Sequence, residues 1–264
     1  MHKTGTTSIQ SALSEALAFP DKNGVKYASF HERNHSVPMV TIFSGKHYVF
    51  KKQGLSQELI ENKLAAYKKI LMKDIEDSSI NQLIISGEDM SLLNKINQIN
   101  LCRFFVGNGC KVKVIAVVRN PYDAAISVAQ EKIKGGHKEI PKYSPNFKNK
   151  LEGYIHELGK ENIQVYSYER MIKFGLIQSI SNIMQVSLSE TKRLNESLSY
   201  EAFLLIYVFN NLKHQTFGTI FKFKARARIM NEISNIFSLE KGFSKINSKG
   251  RFVVFDDEIE KDIQ

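Results

Sequence analysis

At 264 residues and 42% apolar content, the chain is long enough to bury one substantial core, and its composition calls for no second one. Cys102 and Cys110 are too few for a disulfide framework and lack the spaced partners of a zinc site, which predicts two reduced thiols in the cytoplasm. No run approaches the roughly 20 apolar residues of a membrane span and no leader pattern opens the chain, while Lys and Arg outnumber Asp and Glu 37 to 27, so the surface is expected to attract anions.

The chain begins with His2-Lys3-Thr4-Gly5-Thr6-Thr7-Ser8, a cation, a glycine and four hydroxyls in seven positions. A helix follows directly, with Ile9, Leu13 and Leu17 as its apolar stripe and Pro20 past its end. Such a loop suits an oxyanion: glycine admits close backbone approach, the free N–H groups and positive dipole end of the helix point at the ligand, and hydroxyls donate to it. A plain helix cap would need only the hydroxyl of Thr6 or Thr7 and would leave Lys3 without a purpose. A Walker A loop places its lysine after the last glycine, whereas Lys3 precedes Gly5, so the order excludes that loop.

A β-branched run predicts a strand over 25–30, followed by a loop carrying His31 and His35. Ile60, Leu64, Tyr67, Leu71 and Ile75 recur at spacings of three and four and predict a helix from about Ser56 to Asp77. A second strand is predicted over 82–86, with Glu88 at its carboxyl end. The strongest strand, 111–119, runs into Arg119-Asn120-Pro121-Tyr122-Asp123, where Asn120 suits an N-cap, Pro121 a first helical position and Asp123 the first turn. Arg119 therefore stands at the carboxyl end of a strand, where ligands bind in open α/β sheets, and Ser127 follows two turns into the helix.

Residues 135–145 carry Gly, Pro and Lys without apolar period and predict an exposed loop; a fourth strand is predicted over 162–168. Only helical segments follow. Residues 200–212 are apolar nearly all round and expected to be buried, 222–228 are basic and expected to face solvent or an anion, and Lys249-Gly250-Arg251 reads as a basic turn. Short strands alternating with helices predict an α/β fold with a mainly parallel sheet.

Residues 2–8 resemble the 5′-phosphosulfate loop of sulfotransferases that use 3′-phosphoadenosine 5′-phosphosulfate (PAPS), and with Ile9 and Gln10 they look most like the bacterial glycan-type branch. Arg119-Asn120-Pro121-Tyr122-Asp123 with Ser127 is similar to the 3′-phosphate element of that family. Ile84-Ile85-Ser86-Gly87-Glu88 looks like its strand ending in Ser-Ser-Glu, departing from it at Gly87. Asn195-Glu196-Ser197-Leu198-Ser199 resembles a segment before its late helix, and Lys249-Gly250-Arg251 a late basic segment that closes over the 3′-phosphate in some members.

The resemblance implies one P-loop-like, three-layer domain over residues 1–264. Family members carry a central strand before the phosphate loop and a further helix at the other end. The domain is thus expected to be truncated at both ends, its sheet lacking or weakened at that strand.

It also implies roles. His2, Lys3, Thr4, Gly5, Thr6, Thr7, Ser8, Arg119, Ser127 and Arg251 would hold PAPS, released as adenosine 3′,5′-bisphosphate with no metal required. Lys3 would steady the leaving oxygen. The acceptor would be a hydroxyl, less readily an amine, of a glycan, glycolipid or related molecule. Its base would be His35 or Glu88, ahead of His31 and His2, with His35 preferred because a neutral imidazole accepts a proton at neutral pH.

Two rivals stand beside this reading. A P-loop kinase or nucleotide hydrolase is opposed by the displaced lysine and the lack of a clear metal-binding Asp. A basic nucleic-acid-binding protein rests on charge and residues 225–228 alone, with no recognisable motif or stacking array, so no specific nucleic acid is expected. The expected location is cytoplasmic, extending to the inner face of the membrane. Acceptor identity and oligomeric state are not legible in the sequence.

Overall fold

The computed structural model describes residues 4–140, 142–189 and 200–211. The chain divides into two compact units, Met1–Asn120 with Asn146–Leu194, and Pro121–Pro145 with Asn195–Gln264. In chain order the elements of the first unit are α1 (Thr6–Ala16), β1 (Val25–Tyr27), α2 (Ser36–Ser44), α3 (Tyr48–Lys52), α4 (Gln57–Glu76), β2 (Gln82–Ile84), α5 (Lys95–Gly107) and β3 (Val114–Val118). After α6 (Pro121–Lys134), which belongs to the second unit, the first resumes with α7 (Phe147–Leu158), β4 (Ile163–Ser167), α8 (Tyr168–Lys173) and α9 (Leu176–Met184). The second unit adds α10 (Tyr200–Asn211).

All strand pairing among the described residues is parallel, as the alternating pattern predicts for an α/β fold. It forms two separate pairs instead of one sheet: β1 beside β2, with Val25 opposite Gln82, and β3 beside β4, with Val114 opposite Ile163. The strands are shorter than predicted, and competing hydrogen bonds give the reason. Ala28 still donates to Ile84 O at 3.0 Å, but the next amide, Ser29, goes to Asp74 Oδ2 of α4 at 2.7 Å. On β2 the Ser86 amide is taken by His35 Nδ1. Side chains end these ladders where the β propensity of the sequence would continue them.

The apolar stripe of α1 is buried as expected, with Ile9 5%, Leu13 0% and Leu17 2% exposed. It packs with Val25, Tyr27, Ile84, Val117 and the α8–α9 residues Met171, Ile177 and Ile180. A second cluster gathers Phe30, Met39, Ile42, Leu71, Leu101, Phe105 and Tyr154, with Leu83, Ile85 and Val114 against it. Successive residues Leu83, Ile84 and Ile85 alternate between the clusters, as strand geometry requires, so β2 is covered on both faces. Helix α4 lies within one residue of its predicted bounds, and its N-cap Ser56 accepts from the Leu59 amide.

Buried Gln98 joins α5 to α7: its amide nitrogen donates to Leu93 O at 2.7 Å and Asn149 O at 3.1 Å, and its oxygen accepts from Gly153 N at 2.8 Å. In the second unit Ile133 of α6 packs with Ala202, Phe203 and Ile206 of α10, while Asn210 donates to Ile133 O and His137 O. On α10 Leu205 is 46% exposed, where burial was expected, while Ala202, Phe203 and Ile206 are buried. Residues 135–140 and 142–145 form the predicted loop. Among the described residues no helix is long and apolar enough to cross a membrane.

Candidate functional site

Helix α1 starts without a hydroxyl cap. Its N-cap is Gly5 at φ 69°, a left-handed conformation that glycine adopts without a steric penalty, and no side chain caps the helix. Ser8 and Ile9 amides reach back to Gly5 O, leaving the Thr6 and Thr7 amides in the first turn, which has no intrahelical acceptors. Thr4 is fully buried and Thr7 exposed. The Thr6 hydroxyl, read from sequence as a phosphate donor, instead donates to Glu88 Oε1, 82 residues away. Gln10 of the same helix donates to Ser86 through its Nε2, to the carbonyl at 3.4 Å and the hydroxyl at 3.3 Å. The start of α1 is thereby tied to the residues that follow β2.

Those residues are also gripped from the other side. His35 N donates to Ser86 O at 2.8 Å, and Ser86 N donates to His35 Nδ1 at 3.3 Å. Asp89 N donates to Ser36 Oγ at 3.0 Å. The His35 ring is 0% exposed, packed 4.3 Å from Tyr27 and 5.2 Å from Phe30 between ring centroids. Burial, only partly opposed by the Asp74 charge, pushes its pKa down to about 4. Burial likewise pushes the Tyr27 phenol above its usual range despite a hydrogen bond with Ser86.

The departure at Gly87 also acquires a reason. A Cβ there would lie 2.8 Å from Ser36 N and 3.0 Å from His35 C, so a serine would strike backbone.

Arg119 stands where β3 ends, its guanidinium carbon 5.2 Å from the centroid of the Tyr168 ring. Tyr168 is the first residue after β4, which pairs beside β3. The same ring backs the start of α1: a Cβ on Gly5 would lie 3.4 Å from Tyr168 Cε2 and 2.4 Å from Leu176 Cδ2. Glu169 accepts from Asn120 N at 2.8 Å and from Ser167 Oγ at 2.9 Å. Burial works to raise the Glu169 carboxyl, but the amide of Asn120, its own amide, the Ser167 hydroxyl and the Arg119 charge outweigh it and hold the group below the usual carboxylate range.

Within the first unit the structure therefore brings Gly5, Thr6, His35 and Glu88 to one end of the strands, and Arg119 to Gly5 through Tyr168. Ser127 lies on α6 in the second unit. His31 is exposed on its loop. His2, Lys3 and Arg251 lie outside the described residues, as do residues 195–199 and 222–228.

Tyr168, Glu169, Gln10 and Ser36 were missed as site residues. The predicted strand over 162–168 ends on Tyr168, and only that position at a carboxyl strand end singles it out in the sequence.

The expected proton acceptor, His35, sits in the wall of the site. Its Nδ1 lone pair is engaged by Ser86, so a neutral ring carries its proton on Nε2, which has none left to accept with. Among the described residues no group of three or more His, Cys, Asp or Glu is placed to share a metal ion. Comparison with protein-family models, with curated proteins and with solved structures found no match to this chain.

Proposed function

We propose that the chain is a PAPS-dependent sulfotransferase with a P-loop-like, three-layer arrangement, acting on a hydroxyl of a glycan, glycolipid or related acceptor. The observation that carries this reading is the meeting of two motifs far apart in sequence: Gly5 of the loop and Arg119 of the strand end lie against the same Tyr168 ring. Each motif alone is a modest signal. Joined, they offer helix-start amides and hydroxyls to one anionic group and a guanidinium fork to another.

The donor set fits an anionic nucleotide. Thr6 and Thr7 amides with the Thr7 and Ser8 hydroxyls would hold the 5′-phosphosulfate, Thr4 and Gly5 shaping the loop, while Arg119 would hold the 3′-phosphate. PAPS supplies an activated sulfuryl group whose leaving phosphate oxygen gains charge as the acceptor oxygen bonds to sulfur. Lys3, with His2 beside it, would meet that charge, a positioned cation being worth most where charge develops. Glu88 would take the acceptor proton, its carboxylate lying against the start of α1 where it accepts from the Thr6 hydroxyl.

The test is direct. The protein should bind PAPS and not ATP, and should move labelled sulfate from PAPS to at least one member of a panel of glycans and glycolipids. Equal binding of ATP and PAPS, or binding of neither, would sink the proposal.

A further inference from the structure

We infer that His35 is a positioning residue for Glu88, acting through the backbone of Ser86. Glu88 is flanked in sequence by two fastened positions. On one side the His35 amide donates to Ser86 O at 2.8 Å and the His35 ring accepts from Ser86 N at 3.3 Å, a two-point pairing that imitates one rung of a sheet. On the other side Ser36 Oγ accepts from Asp89 N at 3.0 Å and itself donates to Asn34 Oδ1 at 2.6 Å. The start of α2 thus holds the backbone two residues before Glu88 and one residue after it.

Gly87 makes the docking possible, because any side chain there would occupy the space of the His35–Ser36 backbone. The ring is fixed in turn. It is fully buried against Tyr27 and Phe30, and its Nε2 meets no hydrogen-bonding partner among the described residues. A buried donor left unpaired is costly, so a histidine kept here must contribute through its other nitrogen. That nitrogen accepts, which a charged imidazolium could not do. The ring therefore works as a neutral acceptor buried beneath the site, and it sets where the Glu88 carboxylate stands relative to Thr6.

This rests on the sulfotransferase reading for its catalytic consequence but not for its geometry, and the experiment separates the two. His35→Leu removes the acceptor while keeping an apolar side chain; His35→Asn returns an acceptor oxygen without a ring that could act as a base. In ligand-free protein, Ser86 amide exchange should accelerate at least about 10-fold in the leucine variant and return towards wild type in the asparagine variant. The carbon-13 chemical shift of the Glu88 carboxylate should move and recover in step.

In the transfer assay with PAPS, kcat should fall about 100-fold in His35→Leu with KM for PAPS held, and most of it should return in His35→Asn, with the pH profile keeping its acid limb. Equal loss of kcat in both variants, with loss of that limb, would make His35 the base and overturn the inference. Unchanged Ser86 exchange in both would overturn it as well. If wild-type protein transfers no sulfate, the proposed function fails, and the exchange and carbon-13 arms still decide the positioning role.

Discussion

At the end of β2 the backbone is fastened on both sides, at Ser86 by His35 and at Asp89 by Ser36, and Glu88 is held between them against Thr6. At the end of β3 the arrangement differs in kind: Arg119 leans on the face of Tyr168, and the next residue, Asn120, is tied through its amide to Glu169. One end holds a carboxylate between two tied main-chain positions, the other a guanidinium over an aromatic ring with the next amide tied to a carboxylate. The difference matches the tasks proposed for the two ends. Proton transfer fails when its base is displaced by about 1 Å, so its support must be rigid. A cation facing a phosphate keeps much of its attraction through small shifts, because Coulomb energy falls only slowly with distance.

The largest effect should come from removing the charge at the end of β3. Arg119→Ala should weaken PAPS by about 2 to 5 kcal/mol, the usual cost of losing one partner of a desolvated charge pair. Adenosine 5′-phosphosulfate, which has no 3′-phosphate, should lose far less in the same titration calorimetry. Equal losses for the two nucleotides would remove the contrast between the ends.

The fastened end should announce itself in the pH dependence of stability. His35 holds its proton less well folded, at about 4, than at its ordinary value of 6.5, so the folded chain binds fewer protons between those values. Its contribution is present in full above pH 6.5 and is lost as the pH falls towards 4. From pH 7.5 to 4 this single group should remove about 3 kcal/mol from the wild type, and His35→Asn should lack that component. Urea unfolding at the two pH values measures it, and parallel declines in the two proteins would show that the ring titrates normally.

A smaller effect is expected at Gly87. Alanine there meets main-chain atoms of His35 and Ser36 that cannot swing away, and overpacking of this kind typically costs about 1 to 3 kcal/mol. The φ of −152° is ordinary extended backbone, so a loss of stability in urea would report the contact alone. A neutral result would mean that the start of α2 does not sit tightly on the strand end.

The smallest change belongs to Thr6→Val, which removes the hydroxyl from Glu88 with little change in shape. Stability should drop by about 1 kcal/mol, the typical net worth of one hydrogen bond, and Thr6→Ser should restore it. No difference between valine and serine would show that Glu88 is held by the backbone on either side of it without help from α1.

Much of the local structure was legible because it depends on short-range pattern. Ile9, Leu13 and Leu17 declared the buried face of α1, the stripe from Ile60 to Ile75 declared α4, and the β-branched runs declared four strands whose pairing is parallel. Gly5 and Arg119 were recognisable as well, since a glycine before a helix and an arginine after a strand carry their meaning in their neighbours.

Tertiary structure alone decided the rest, because the deciding contacts join residues remote in sequence. Whether His35 accepts a proton or a main-chain amide depends on Ser86, 51 positions on, and its burial depends on Tyr27 and Phe30. That Thr6 turns to Glu88, that Gly87 must be bare, and that Tyr168 links the loop to Arg119 are likewise facts of packing. Residue type declares what a side chain is able to do; desolvation and the partner within about 3 Å determine which of those capacities is used.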